Sequence, residues 1–189
     1  VVRRLVITVL AENTVIRGGL LAEHGLALWV EADNRRILFD TGQGMVLAHN
    51  AAKLGIDLST ADDVVLSHGH YDHTGGLLTA LPAFSRATIY AHLAAFRDRF
   101  VSEPQGGARS VRSPVESLEW LASRVGHIFS TRANPVELSE GVWLTGQIPR
   151  HHDYEDTGGS FFLDESLTEP DAIIDDQALY VKTGNGIVV

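Results

Sequence analysis

Cysteine is absent from this chain, and that absence removes two kinds of architecture. No disulfide framework and no thiolate metal site can form. A transition metal, if bound, has only histidine and carboxylate ligands to draw on. An excess of positive charge is also missing: 15 Lys and Arg face 24 Asp and Glu, a formal net charge of −9. That sign argues against general affinity for nucleic acid or an anionic membrane. An anionic substrate has to be met by a local positive feature, such as a metal or a few arginines. Long apolar runs are lacking, and none approaches the length of a spanning helix. The opening VVRRLVITVL carries charges but no long apolar region before a small-residue cleavage site, so it does not read as a signal peptide. We therefore expect a cytoplasmic chain with no nucleic-acid partner and no membrane partner. Internal repeats, low-complexity segments and clear linkers are missing too.

What is present suits one ordinary globular domain spanning 1–189. The 189 residues are 44% hydrophobic and 21% charged, enough apolar material for a sizeable core. Strands are expected at 5–10, 25–31, 36–40 and 63–67, with Asp33-Asn34 as a hairpin turn. Apolar spacing over 44–54 predicts a helix stopped by Gly55, and 76–81 a short helix stopped by Pro82. A strand at 88–91 and a helix over 92–100 follow. Residues 102–112 (SEPQGGARSVR) form the best candidate for a mobile loop. Ser113, Pro114 and Glu116 read as a capping box opening another helix. Further strands are expected near 127–130, 136–138, 142–145, 161–163, 178–182 and 187–189, with a polar loop at 150–159. Strands outnumber helices and the two are mixed throughout, an α/β (α+β mixed) pattern.

The chemistry concentrates in SHGHYDHTGG, Ser67 to Gly76. Three histidines and a carboxylate fall within six residues, directly after a buried-type strand. Histidine is the commonest neutral metal ligand, and zinc accepts both imidazole nitrogen and carboxylate oxygen. A polar surface loop is the plain alternative, but the preceding strand and the loop glycines favour a folded site. The pattern splits into two pairs: His68 with His70 for one metal, Asp72 with His73 for a second. Two metals roughly 3.5–4 Å apart can clamp a transition state from both sides.

SHGHYDHTGG resembles the signature loop of the metallo-β-lactamase superfamily of metal-dependent hydrolases, and LFDTG (Leu38 to Gly42) resembles that family's strand-end Asp. Within the superfamily the chain is most similar to the dihydropterin-type, or β-ribofuranosylaminobenzene 5'-phosphate synthase-like, branch. The segments EHGLAL, ILFDTGQ, HNAAKLGIDLS, VVLSHGHYDHTGGL, WLTGQIPR and DDQALYVKT carry that resemblance in order along the chain. It implies an αβ/βα sandwich and hydrolysis by a metal-bound hydroxide. It implies two divalent metal ions, Zn2+ first with Fe or Mn as alternatives, held by His68, His70, Asp72 and His73. Asp72 is also the catalytic residue that orients or deprotonates the nucleophile, and Asp40 fixes a ligand histidine through its other N–H. The implied substrate is a small molecule, phosphate- or pterin-containing.

The family's remaining ligands come from later motifs, a Ser-His-Ala-Gly-like loop and a final His. We expect them beyond Val189, so that the domain is truncated at its C-terminus, metal binding is weak, and an incomplete sheet promotes self-association. His151 and His152 are the internal substitutes, although an exposed loop is the simpler reading there. His24, His49, His92 and His127 read as packed or surface histidines. Asn13 and Gln43 are candidates to line the pocket, and Arg150 to meet a phosphate or simply an acidic neighbour. Two other functions compete: a non-catalytic metal-binding module, and an iron-dependent oxidoreductase on the same fold.

Overall fold

The computed structural model describes residues 1–152 and 154–189. Strands β1 (Leu5–Ala11), β2 (Ala27–Ala32) and β3 (Arg35–Phe39) form an antiparallel meander. The β2–β3 turn is at Asp33, whose φ of 52° is a conformation that aspartate tolerates better than most residues. β4 (Asp63–Val65) and β5 (Thr88–His92) add in parallel. β6 (Phe100–Ser102) and β7 (Ala108–Ser110) leave as a hairpin, and β8 (His127–Thr131) returns parallel to β5. The first sheet thus runs β1-β2-β3-β4-β5-β8. β9 (Val136–Ser139), β10 (Val142–Leu144), β12 (Leu179–Thr183) and β13 (Gly186–Val188) make a second, antiparallel sheet. Before β12, β11 (Phe161–Phe162) pairs with β6.

Side chains alternate along the first sheet, as period-two strands require. Trp29, Leu38, Val64 and Ile89 face a helical layer, while Val30, Ile37, Val65 and Tyr90 face the second sheet. The helical layer contains α1 (Leu47–Leu54), α3 (Gly76–Ala80) and α4 (Leu118–Ala122), packed through Leu47, Leu77 and Leu121. Between them in sequence, α2 (Tyr71–Thr74) is one turn carrying part of the motif. Gly55 ends α1 in the left-handed region, as expected from its position. Val142, Leu144 and Val181 supply the second sheet's contribution to the inter-sheet core. Its opposite face carries Trp143 stacked on Tyr180, with Lys182 over both rings.

Three sequence expectations need correction. The segment after β5 is not a helix to residue 100. It is a 3-10 turn, Leu93–Phe96, whose start His92 caps by accepting from Ala94 N–H. Ala94, Ala95 and Phe96 enter the core there, and the chain then extends into β6. Residues 102–112 are mostly hairpin, closed by Glu103 N–H to Gly107 C=O at 3.0 Å. Ser113 does not start a helix: its hydroxyl accepts from Val115 N–H, and Ser117 caps α4 by accepting from Trp120 N–H. Val115 is fully buried, so the chain at that point is drawn inward rather than wound.

Among the described residues no helix is long and apolar enough to cross a membrane.

Candidate metal centre

The motif lies on the loop after β4, at the C-terminal end of a parallel strand, where open α/β sheets place their ligands. Asp40 stands at the equivalent end of β3. Its backbone is left-handed, with φ of 58°. That strained conformation directs a fully buried carboxylate across to the β4 loop.

One carboxylate then orders two imidazoles. Asp40 Oδ1 accepts from Ser67 N–H at 2.7 Å, and Oδ2 accepts from the Ser67 hydroxyl and from His73 Nδ1, each at 2.7 Å. With its proton given to Asp40, Ser67 Oγ is left to accept from His68 Nδ1, 2.9 Å away. His68 Nε2, then bare, faces His70 Nδ1 at 3.0 Å. The chain of donors places the proton of His68 and that of His73 on Nδ1, and turns His68 Nε2 toward His70. His70 Nε2 is buried with no hydrogen-bond partner among the described residues.

The electrostatics agree for the first pair. Burial, then the neighbouring His73, His70 and Arg99, lowers His68 to about 2. Burial and Arg99 lower His70 to about 4 against the opposing pull of Asp72 and Asp175. Both rings are therefore neutral near pH 7, the form that binds metal. His73 differs. Burial lowers it, but the hydrogen bond and charge of Asp40, with Asp72 and Asp176 nearby, outweigh that and raise it.

Asp72 is mostly buried at the start of α2. Its Oδ2 lies 3.6 Å from His73 Nε2 and 3.3 Å from His24 Nε2. His24 is exposed, so it is a surface histidine as expected, yet it stands at the site, which the sequence reading missed. Asn13 and Gln43 brace its loop: Asn13 Oδ1 accepts from Gly25 N–H at 3.1 Å, and Gln43 Nε2 donates to the His24 carbonyl at 2.6 Å. A Cβ on Gly25 would stand 2.0 Å from the Asp72 carbonyl oxygen, so only glycine lets this loop approach. Glu23, also overlooked, is buried and accepts from the N–H groups of Gln43, Gly44 and Met45.

Asp176 is a further carboxylate the sequence reading did not single out. It shares small hollows with His68, His70 and His73 and pairs with Arg150 at 2.9 Å. Arg150 also donates to the Ala172 carbonyl, so its charge is already engaged. His151 and His152 are exposed; their N–H groups donate to Glu155, and the His152 ring stacks on Tyr154. Among the described residues neither shares a hydrogen bond or ring contact with the motif. His49 bonds to the Gly19 carbonyl, and His127 is exposed on β8.

The donor set suits a divalent metal in chemical kind: two neutral imidazoles, a third beside them, one orphaned buried nitrogen and a carboxylate. It is incomplete in number. Among the described residues no three His, Asp or Glu side chains close around a common point as a formed metal site does. Beside the histidines a cavity of about 350 Å³ opens between the sheets, walled by Leu26, Leu28, Phe39 and Leu179.

Comparison with known proteins places this arrangement in a family. Over 150 residues the chain is 30% identical to the uncharacterized protein MJ0448 of Methanocaldococcus jannaschii, covering 79% of this chain and 56% of that one. A 7,8-dihydropterin-6-methyl-4-(beta-D-ribofuranosyl)-aminobenzene-5'-phosphate synthase of the same organism is 27% identical over 185 residues, covering 89% and 60%. The chain thus spans a little over half the length of the curated relatives it matches. Tm1679, described as a metal-dependent hydrolase of the beta-lactamase superfamily, superposes with a TM-score of 0.73. It is 29% identical, over 96% of this chain and 62% of that one. An N-acyl homoserine lactone lactonase, 16% identical, shares the fold with a TM-score of 0.54, over 98% of this chain and 71% of that one. The model of the metallo-beta-lactamase superfamily matches residues 21–171, which contain β2 to β11 and the whole histidine loop, and to that superfamily the chain belongs.

Proposed function

We propose that residues 1–189 carry the metal-binding part of a metal-dependent hydrolase acting on a small molecule. In this reading His68, His70, Asp72 and His73 bind two divalent ions, Zn2+ first among them. The observation that carries it is the ordered proton chain from Asp40 through Ser67 to His68, with its branch to His73. It turns the Nε2 atoms of His68 and His73 away from their anchors and sets His68 Nε2 3.0 Å from His70 Nδ1. A bound metal supplies Lewis acidity and lowers the pKa of water to about 7. Asp72, with Oδ2 between His24 and His73, is assigned to orient the attacking water and take its proton. The inter-sheet cavity has the volume and apolar walls of a small-molecule pocket. The synthase-named relative supports a pterin- or phosphate-bearing substrate; Arg150, already paired, contributes little to phosphate binding. A cytoplasmic location belongs to the same proposal.

The shortfall in converging donors favours a second reading, a metal-binding module without turnover. It equally suits a site completed by polypeptide outside these residues, which the greater length of the relatives supports. One experiment separates them. Residues 1–189 and the full product of the natural reading frame are assayed against phosphodiesters, esters and a pterin phosphate, with metal content measured in parallel. Metal-dependent turnover by the full product supports the hydrolase. Metal binding without turnover in both supports the module.

A further inference from the structure

Arg99 is fully buried. It follows the Leu93–Phe96 turn. Its Nη2 donates to Asp175, and its Nε lies 3.0 Å from Asp171 Oδ2 as an ion pair without hydrogen-bond alignment. Asp175 is fully buried as well. Its other oxygen, Oδ2, accepts the backbone N–H of Gly69 at 2.8 Å, and Gly69 is the residue between His68 and His70. On its other side Gly69 is pressed against the turn: a Cβ there would stand 1.8 Å from the Ala95 carbonyl oxygen.

The same group of residues holds the loop at both ends. The Arg99 carbonyl accepts from Val111 N–H at 2.8 Å, and the Val111 carbonyl accepts from Tyr71 N–H at 3.0 Å. Gln177 donates from Nε2 to the Leu66 carbonyl at 2.7 Å and from its N–H to Ser67 at 3.0 Å. Burying a guanidinium with two carboxylates is costly compared with apolar packing, so its presence asks for a reason beyond filling space. A carboxylate offers two acceptor oxygens in one plane. With one oxygen held by Arg99, the other can point only at Gly69.

We propose that Asp175, locked by Arg99, is a positioning residue that fixes the His68-Gly69-His70 backbone and thereby the spacing of the two imidazoles. The brace owes its purpose to the reading of this loop as metal-binding. Its test uses metal-free protein, so either idea can fail without the other.

The test compares Asp175→Asn with Asp171→Asn. Each removes one negative charge from Arg99. Asparagine has one acceptor oxygen, so at 175 it cannot serve both Arg99 and Gly69. Among the described residues the second oxygen of Asp171 accepts only from Ile173 N–H within its own turn, at 2.8 Å. Hydrogen exchange is followed over residues 67–74, with β1 and β2 as the internal reference, alongside imidazole 15N shifts of His68 and His70. Asp175→Asn should lose about tenfold or more of the protection at Gly69, and Asp171→Asn less than about threefold. The imidazole shifts should move only in Asp175→Asn. Equal effects of the two variants, or unchanged Gly69 exchange in Asp175→Asn, overturn the proposal. If either variant fails to fold, wild type decides: a scalar coupling from Gly69 N–H to the Asp175 carboxyl carbon is expected, and its absence refutes the brace.

Discussion

His73 Nδ1 lies 2.7 Å from the Asp40 carboxylate, joining the ends of two parallel neighbours, β3 and β4, across 33 positions of sequence. The contact decides which nitrogen of His73 is free, because a carboxylate can only accept. It also decides, through Ser67, the tautomer of His68. The same carboxylate thus acts as an anchor for the loop and as a director of its chemistry.

Asp40→Asn tests that directing role. Asparagine tolerates the left-handed backbone at 40 but offers one acceptor oxygen to three donors. The tautomers of His73 and His68 are then released. Zinc affinity, measured by competition with a chromophoric chelator, should fall about 10–100-fold. An affinity unchanged within about twofold would refute the role.

Acid should destabilise the metal-free protein in a defined window. Burial lowers the folded His68 and His70 to about 2 and about 4, below the ordinary imidazole value of 6.5. Between about pH 6.5 and pH 4 the unfolded chain takes up protons at these positions and the folded chain does not, so stability falls with pH. His73 has the opposite sign: its raised pKa contributes stability below about 6.5 that is lost as pH rises through the folded value. Two lowered groups outweigh one raised group. Urea midpoints from pH 7 to 4.5 should decline, and His68→Gln with His70→Gln should flatten the decline.

Gly69→Ala should be severe for so small a change. The added carbon meets the Ala95 backbone, which has no flexible end to move aside. A loss of about 2 kcal/mol or more is expected in chemical denaturation. Gly55→Ala, where nothing stands within 4 Å, keeps only the strain of its left-handed backbone. It should cost about 1 kcal/mol.

Asp72→Asn separates turnover from folding. The Asp72 side chain meets His24 and His73, and asparagine keeps its size. Stability should stay within about 1 kcal/mol of wild type. Under the proposed function, hydrolysis by the polypeptide of the full natural reading frame should fall by about two orders of magnitude or more. Retained hydrolysis would remove Asp72 from the mechanism.

What the sequence made readable was local. The motif, the strand before it, the Asp33-Asn34 turn and the Gly55 stop each depend on neighbours within a few residues. Asp40 was legible through the resemblance of LFDTG to the family's strand-end Asp. The Arg99–Asp175 pair was not, since its partners are 76 positions apart and each looks like an ordinary surface charge. His24 was placed on the surface but not beside Asp72, because its approach depends on Gly25 packing against the motif's backbone. The helix expected at Ser113 fell to a degenerate pattern: Ser117 offers the same capping chemistry, and burial of Val115 selects the later one. Ligand roles for His68, His70, Asp72 and His73 stand on the motif together with the proton order around them.

Metal content tests the central claim most directly. The polypeptide of the full natural reading frame, as wild type and as a His68→Ala, His70→Ala double variant, is loaded with Zn2+, dialysed and assayed by elemental analysis, with circular dichroism to verify folding. Wild type should retain zinc after dialysis and the folded double variant should retain almost none. Equal retention by the two would contradict the account, because the metal would then be held by residues other than those ordered by Asp40.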